Sequence, residues 1–173
     1  GGVERVFSAQ MADPTFPVPL SAMKSKLTFE DFKVGDELRP AADILIKTAP
    51  LRHPNGATAF RVEYGGHSVC YVTDTEHDPD SPDQVILDFI KDADLVIYDS
   101  TYTDEEFPQK VGWGHSTWQE GIRLCRAANA RQLALFHHDP DHDDATMTVI
   151  EQKARATWSG ACAARDEMVL QIE

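Results

Sequence analysis

Three histidines and four aspartates fall within eight residues at His137-His138-Asp139-Pro140-Asp141-His142-Asp143-Asp144. The apolar run 133–136 directly before them reads as a buried strand, and a helix is expected directly after. Imidazoles and carboxylates gathered at the end of a rigid strand are the donors a divalent cation takes. The same composition also describes a solvated, acidic helix-capping loop. Two further metal-type residues stand just past earlier strands, His53 after 44–48 and Asp74 after 67–73. His53, Asp74 and His137 are separated by 21 and 63 residues, so they meet only if their strands are neighbours with aligned ends.

Other side chains join the candidate set. Asp99 ends a strand expected over 94–98 and is placed either to accept a hydrogen bond from a ligand histidine or as a plain turn residue. His115 precedes the capping box Thr117-x-x-Glu120. A helix N-terminus there disfavours imidazolium, which is expected to lower the His115 pKa, and it can hold a phosphate oxygen. His77 and His142 read as solvent-exposed, and Trp113 either stacks on a base or anchors packing beside its glycines.

The elements that must position these residues form a β-rich first part and an alternating second part. Short strands are expected at 27–32 and 36–39, then a better one at 44–48. Gly65-Gly66 between two β-rich runs marks a hairpin with a primed turn, with His67 just exposed beside it. Ser81 followed by Pro82 is the expected start of a helix with Val85, Ile86, Phe89 and Ile90 on one face. Trp118, Ile122 and Cys125 mark the inner face of the next helix, and Met147, Ile150 and Ala154 that of the last. Alternation over 168–172 predicts a final strand. The order implies an α+β sheet with helices packed on one side and something else over the other.

With 173 residues, one domain with a sizeable core is expected. Net charge is −13, which repels polyanions and argues against a long nucleic-acid partner. No apolar run approaches the roughly 18 residues of a membrane span, and no signal-peptide pattern opens the chain. Cys70, Cys125 and Cys162 are odd in number and far apart, which argues against a disulfide framework; Cys70 and Cys125 lie within apolar patterns and read as buried thiols, in a reducing, cytoplasmic setting. The chain opens on Gly1-Gly2 without methionine, as a fragment or processed end would.

The succession His53-Pro-x-Gly, Val72-Thr-Asp74-Thr after a hairpin, Gly114-His115-Ser-Thr and Leu-x-Leu-Phe-His137 resembles the later half of a metallo-β-lactamase-fold hydrolase. It is most similar to the phosphodiesterase branch that includes ribonuclease Z and cyclic-nucleotide phosphodiesterases, over roughly residues 45–172. The resemblance implies a four-layer αββα sandwich and two divalent ions (Zn, Mn or Fe). His53 would bind one ion, Asp74 would bridge both, and His137 would bind the second. His115 would donate a proton to the leaving group. The branch's His-x-His-x-Asp-His motif is absent. Its nearest approach, His137 to His142, is followed by only 31 residues, too few for the other half of the fold. The expectation is therefore a single metallo-β-lactamase-like domain over 1–173 that lacks an N-terminal portion. Its substrate would be a small phosphodiester such as a cyclic nucleotide, with dimerisation implied by the family alone. The competing expectation is a non-catalytic sensory or interaction domain of the same fold.

Overall fold

In the computed structural model, which describes residues 2–172, Gly65 and Gly66 take φ of +60° and +87°. Those values are open to glycine at no steric cost and close the tight turn of a hairpin. The hairpin joins β3 (Ala57–Tyr64) to β4 (His67–Val72). Two more antiparallel strands precede it, β1 (Glu37–Ala41) and β2 (Ile44–Leu51). From β4 onward pairing turns parallel, through β5 (Leu95–Asp99), β6 (Gln132–Phe136) and β7 (Ala161–Ala163). The seven strands lie in sequence order in one mixed sheet.

Each parallel step needs a crossover, and a helix supplies it: α2 (Gln84–Phe89), α3 (Trp118–Ala127) and α4 (Asp144–Thr157). The helices pack on one face of the sheet over Cys70, Val72, Val96, Tyr98, Leu133 and Leu135. Ile86, Ile122, Cys125, Ile150 and Ala154 are their inward contributions, as the periodicity predicts. Val85 instead faces solvent. Asp83, not Ser81, caps α2, its carboxylate accepting from Ile86 N–H at 3.1 Å. Two residues beyond the serine, that carboxylate reaches the third N–H of the turn.

Thr117 caps α3 as expected, its hydroxyl accepting from Glu120 N–H at 3.1 Å. The glutamate half of the box is diverted, because Glu120 accepts from Arg123 Nε at 2.6 Å. Thr117 Oγ1 also donates to Asp104 at 2.6 Å. A Thr117→Ala protein is expected to lose about 1–2 kcal/mol of stability, read from urea denaturation, since it loses the helix cap and one donor to the half-buried Asp104 together.

The opposite face of the sheet is covered differently from expectation. Residues 168–172 form no strand. Met168, Leu170 and Ile172 pack flat on Leu95, Ala134 and Cys162. Period-two alternation thus marks a segment laid across a sheet rather than paired with it. The strand at this edge is the short Ala161–Ala163, whose small residues carry little periodic signal.

The chain parts into two compact units between Lys33 and Val34, and everything above belongs to the second. In the first, α1 (Val3–Gln10) is followed by a single 3-10 turn at Leu20–Ala22. Asp31 accepts from Val3 N–H at 2.8 Å. The strand expected over 27–32 is not formed, and that stretch is irregular.

Candidate metal centre

Parallel pairing sets the C-terminal ends of β4, β5 and β6 side by side, with Val72 opposite Tyr98 and Asp99 opposite Phe136. Asp74, Asp99 and His137 leave those three ends. Asp74 and His137 hold φ of +61° and +60°, left-handed values that residues other than glycine adopt at a cost of about 1–3 kcal/mol. His137 Nε2 lies 3.2 Å from Asp74 Oδ1. His115, from the loop before α3, stacks on His137 with ring centres 4.8 Å apart, and its Nδ1 is 3.9 Å from Asp74 Oδ1. One donor atom from each of Asp74, Asp99, His115 and His137 falls within 4.8 Å of the others.

His53 stands at the margin of this group. Its ring is 5.9 Å from that of His115, and its Nδ1 accepts from Asn55 N–H at 3.3 Å. It packs against Gly114, where an added Cβ would lie 2.3 Å from its Cδ2. His138 turns away from the cluster, with Nε2 on the carbonyl of Ala164 at 3.1 Å. So Asp74, His115 and His137 converge, and His53 flanks them without joining the closest set.

Asp99 is completely buried and accepts five hydrogen bonds. Oδ2 takes Thr75 N–H and His115 Nδ1–H, while Oδ1 takes the N–H groups of Thr101 and Ser116 and the Thr101 hydroxyl. Thr101 Oγ1 in turn lies 3.0 Å from His137 Nδ1 and 2.7 Å from its carbonyl oxygen. One carboxylate therefore orients both stacked histidines, one directly and one through a threonine. Thr101 escaped the sequence reading; its signal is the Asp-Ser-Thr run at the end of β5.

The hydrogen bond from Asp99 raises the His115 pKa above the ordinary histidine value, against burial and with help from the charges of Asp99, Asp74 and Glu76. This corrects the expected lowering. A short contact with a buried carboxylate outweighs a helix dipole, which acts within one turn and is worth about 0.3–1 kcal/mol.

Two histidines expected at the surface are not there. His142 Nε2 contacts Glu106 Oε1 at 3.0 Å, with its side chain 8% exposed. His77 is buried, stacked on Phe107 at 4.0 Å, with Nδ1 2.8 Å from Ser116 Oγ. Burial lowers its pKa, opposed by the carboxylates of Glu120, Asp104 and Glu76. The unfolded chain therefore binds this proton before the folded one does. Its contribution to stability is complete above about pH 6.5 and is lost as pH falls through the depressed value. His115 pulls the other way, so the comparison needs a variant. The fall in Tm from pH 7.5 to 5.5 is expected to be shallower in His77→Phe than in the parent, and equal slopes would refute the assignment.

A cation fits the Asp74–His137 pair. Two donors bound to one tetrahedral zinc at about 2.0–2.2 Å stand roughly 3.3 Å apart, close to the observed 3.2 Å. If Thr101 holds the His137 Nδ1–H, Nε2 and Asp74 Oδ1 turn two lone pairs toward one point, an arrangement a cation satisfies.

A family model for the beta-lactamase superfamily domain matches residues 6–138. The chain belongs to this superfamily. Within it, the chain is 33% identical over 109 residues to the ribonuclease Z of Thermoplasma volcanium, covering 62% of this chain and 33% of the relative. It thus spans about a third of that curated relative's length. Among solved structures it is similar to the metallo-β-lactamase fold protein YhfI from Bacillus subtilis, with a TM-score of 0.66 and 23% identity over 81% of this chain and 54% of that one. The short form of human tRNase Z gives a TM-score of 0.60 and 21% identity over 79% of this chain and 46% of that one. These likenesses show the metallo-β-lactamase fold, in keeping with the mixed sheet and its helices. Among the described residues, no helix is long and apolar enough to cross a membrane.

Proposed function

We propose that this β-lactamase superfamily chain carries part of the centre of a metal-dependent phosphodiesterase acting on a small phosphodiester such as a cyclic nucleotide. The observation that carries the reading is the convergence of Asp74 and His137 at 3.2 Å from neighbouring strand ends, with His115 stacked beside them. Asp74 and His137 would hold a divalent ion (Zn, Mn or Fe), with His53 at hand for a second. Such ions supply Lewis acidity and an activated water for in-line displacement at phosphorus.

The residues of the chain supply the rest. Asp99 fixes the His115 Nδ1–H and thereby leaves Nε2 as the atom that exchanges protons with substrate. The Asp99 hydrogen bond favours the protonated ring of His115, the form a general acid must hold when an alkoxide departs. Thr101 fixes the ring of His137. The −13 charge favours a small substrate over a polyanion.

With Mn²⁺ or Zn²⁺ the protein at its full length is expected to hydrolyse bis-p-nitrophenyl phosphate and 3′,5′-cyclic AMP, and chelation should abolish both activities. No turnover with any divalent ion would overturn the reading. A second substrate class has one specific support, the name ribonuclease Z borne by the relative above. Preferential cleavage of an RNA 3′ extension in the same assay would favour it.

A further inference from the structure

Trp113 occupies a position that packing does not explain. Its indole is 61% exposed, although it sits two residues from His115. Gly112 and Gly114 on either side take φ of +89° and +91°. Both glycine N–H groups donate to one oxygen of Glu76, at 2.7 and 2.9 Å, and Glu76 is itself buried. The loop is therefore clamped from beneath, and the tryptophan is presented on a fixed support. An aromatic surface held rigid before a ligand arrives loses little entropy on binding.

A cation completes the arrangement. Lys110 Nζ lies 4.8 Å from the centre of the Trp113 ring and 5.2 Å from that of Tyr102. Tyr102 is buried and turns its edge to His115, with centres 6.2 Å apart. The ammonium is thus shared by the exposed indole and by the tyrosine whose ring borders His115. A strongly acidic protein must place positive charge locally to receive a phosphate, and a planar ring beside that charge matches a nucleobase. A surface cation–π pair on its own would need neither two left-handed glycines nor a buried carboxylate to hold it.

We infer that Trp113 and Lys110 form a specificity site for a nucleoside phosphate, the indole stacking on the base and the ammonium meeting a phosphate oxygen. This rests on the phosphodiesterase reading for its place in catalysis and narrows the substrate to one bearing a base next to the scissile phosphorus.

Calorimetric titration of the metal-free protein with thymidine 5′-monophosphate tests it without turnover. Trp113→Ala is expected to raise Kd roughly tenfold, the loss of one base–aromatic stack, and Trp113→Phe to stay within about threefold. Ribose 5-phosphate should bind the parent about tenfold more weakly than the nucleotide. Lys110→Gln should weaken both ligands and flatten their salt dependence. Val111→Ala, one residue before the clamped glycine and also exposed, should change neither. No nucleotide binding by the parent, equal affinity for nucleotide and sugar phosphate, or unaltered affinity in Trp113→Ala would each overturn the inference. Absence of metal-dependent hydrolysis would remove the catalytic reading while leaving base-dependent binding as measured.

Discussion

Replacing Asp99 by asparagine is expected to cost about 3 kcal/mol of folding free energy, because it puts an N–H₂ where a buried oxygen receives protons. The amide can face Oδ1's three donors or Oδ2's two, and in either orientation some are left without an acceptor. For a chain of this size that corresponds to a Tm drop of about 6–12 °C. Activity should fall by the roughly 10–100-fold typical of losing an outer-shell partner, or more, since two histidines lose their orientation together. The high-pH side of the rate profile should also move to lower pH as His115 loses the contact that raises its pKa. A variant melting within about 2 °C of the parent, with an unshifted profile, would show that the five hydrogen bonds do not act as described.

Asp74→Asn separates the proposed chemistry from the fold. Asp74 is partly exposed, and asparagine tolerates the left-handed backbone there. Stability should therefore change by less than about 0.5 kcal/mol in the absence of metal. Loss of the anionic charge should cut metal affinity and hydrolysis by more than the 10–100-fold that an outer-shell partner costs, roughly a thousandfold in turnover. Metal content by mass spectrometry and Tm with and without Zn²⁺ read the two effects apart. Retained zinc binding with parental turnover would exclude Asp74 from the centre.

What the sequence made legible is what local chemistry determines. Gly65-Gly66 can hardly be read as anything but a turn, and Thr117 finds its N–H three residues away. Runs such as 133–136 are short, apolar and followed abruptly by polar residues, so their strand ends can be located. The alignment of those ends on β4, β5 and β6 brings Asp74 and His137 together, and the family pattern supplied the expectation that they would meet. Less was legible where a residue's environment is made by distant parts of the chain. The burial of His77 depends on Phe107 and Ser116, 30 and 39 residues away. The five-fold role of Asp99 draws on three separate segments, so sequence placed it only as a candidate partner for a histidine. The C-terminal alternation was real, but it records contact with a sheet face and says nothing of hydrogen-bond pairing.

The backbones of Asp74 and His137 carry one more consequence. Each keeps an L-residue in a conformation that glycine would adopt without penalty, at two positions whose side chains meet. Glycine at either place would relieve about 1 kcal/mol of local strain while deleting a donor. Laboratory selection for heat tolerance alone should accordingly enrich glycine at 74 and 137, whereas selection that also demands turnover should purge it. The two pressures diverge at these codons, and the divergence can be read by sequencing the survivors.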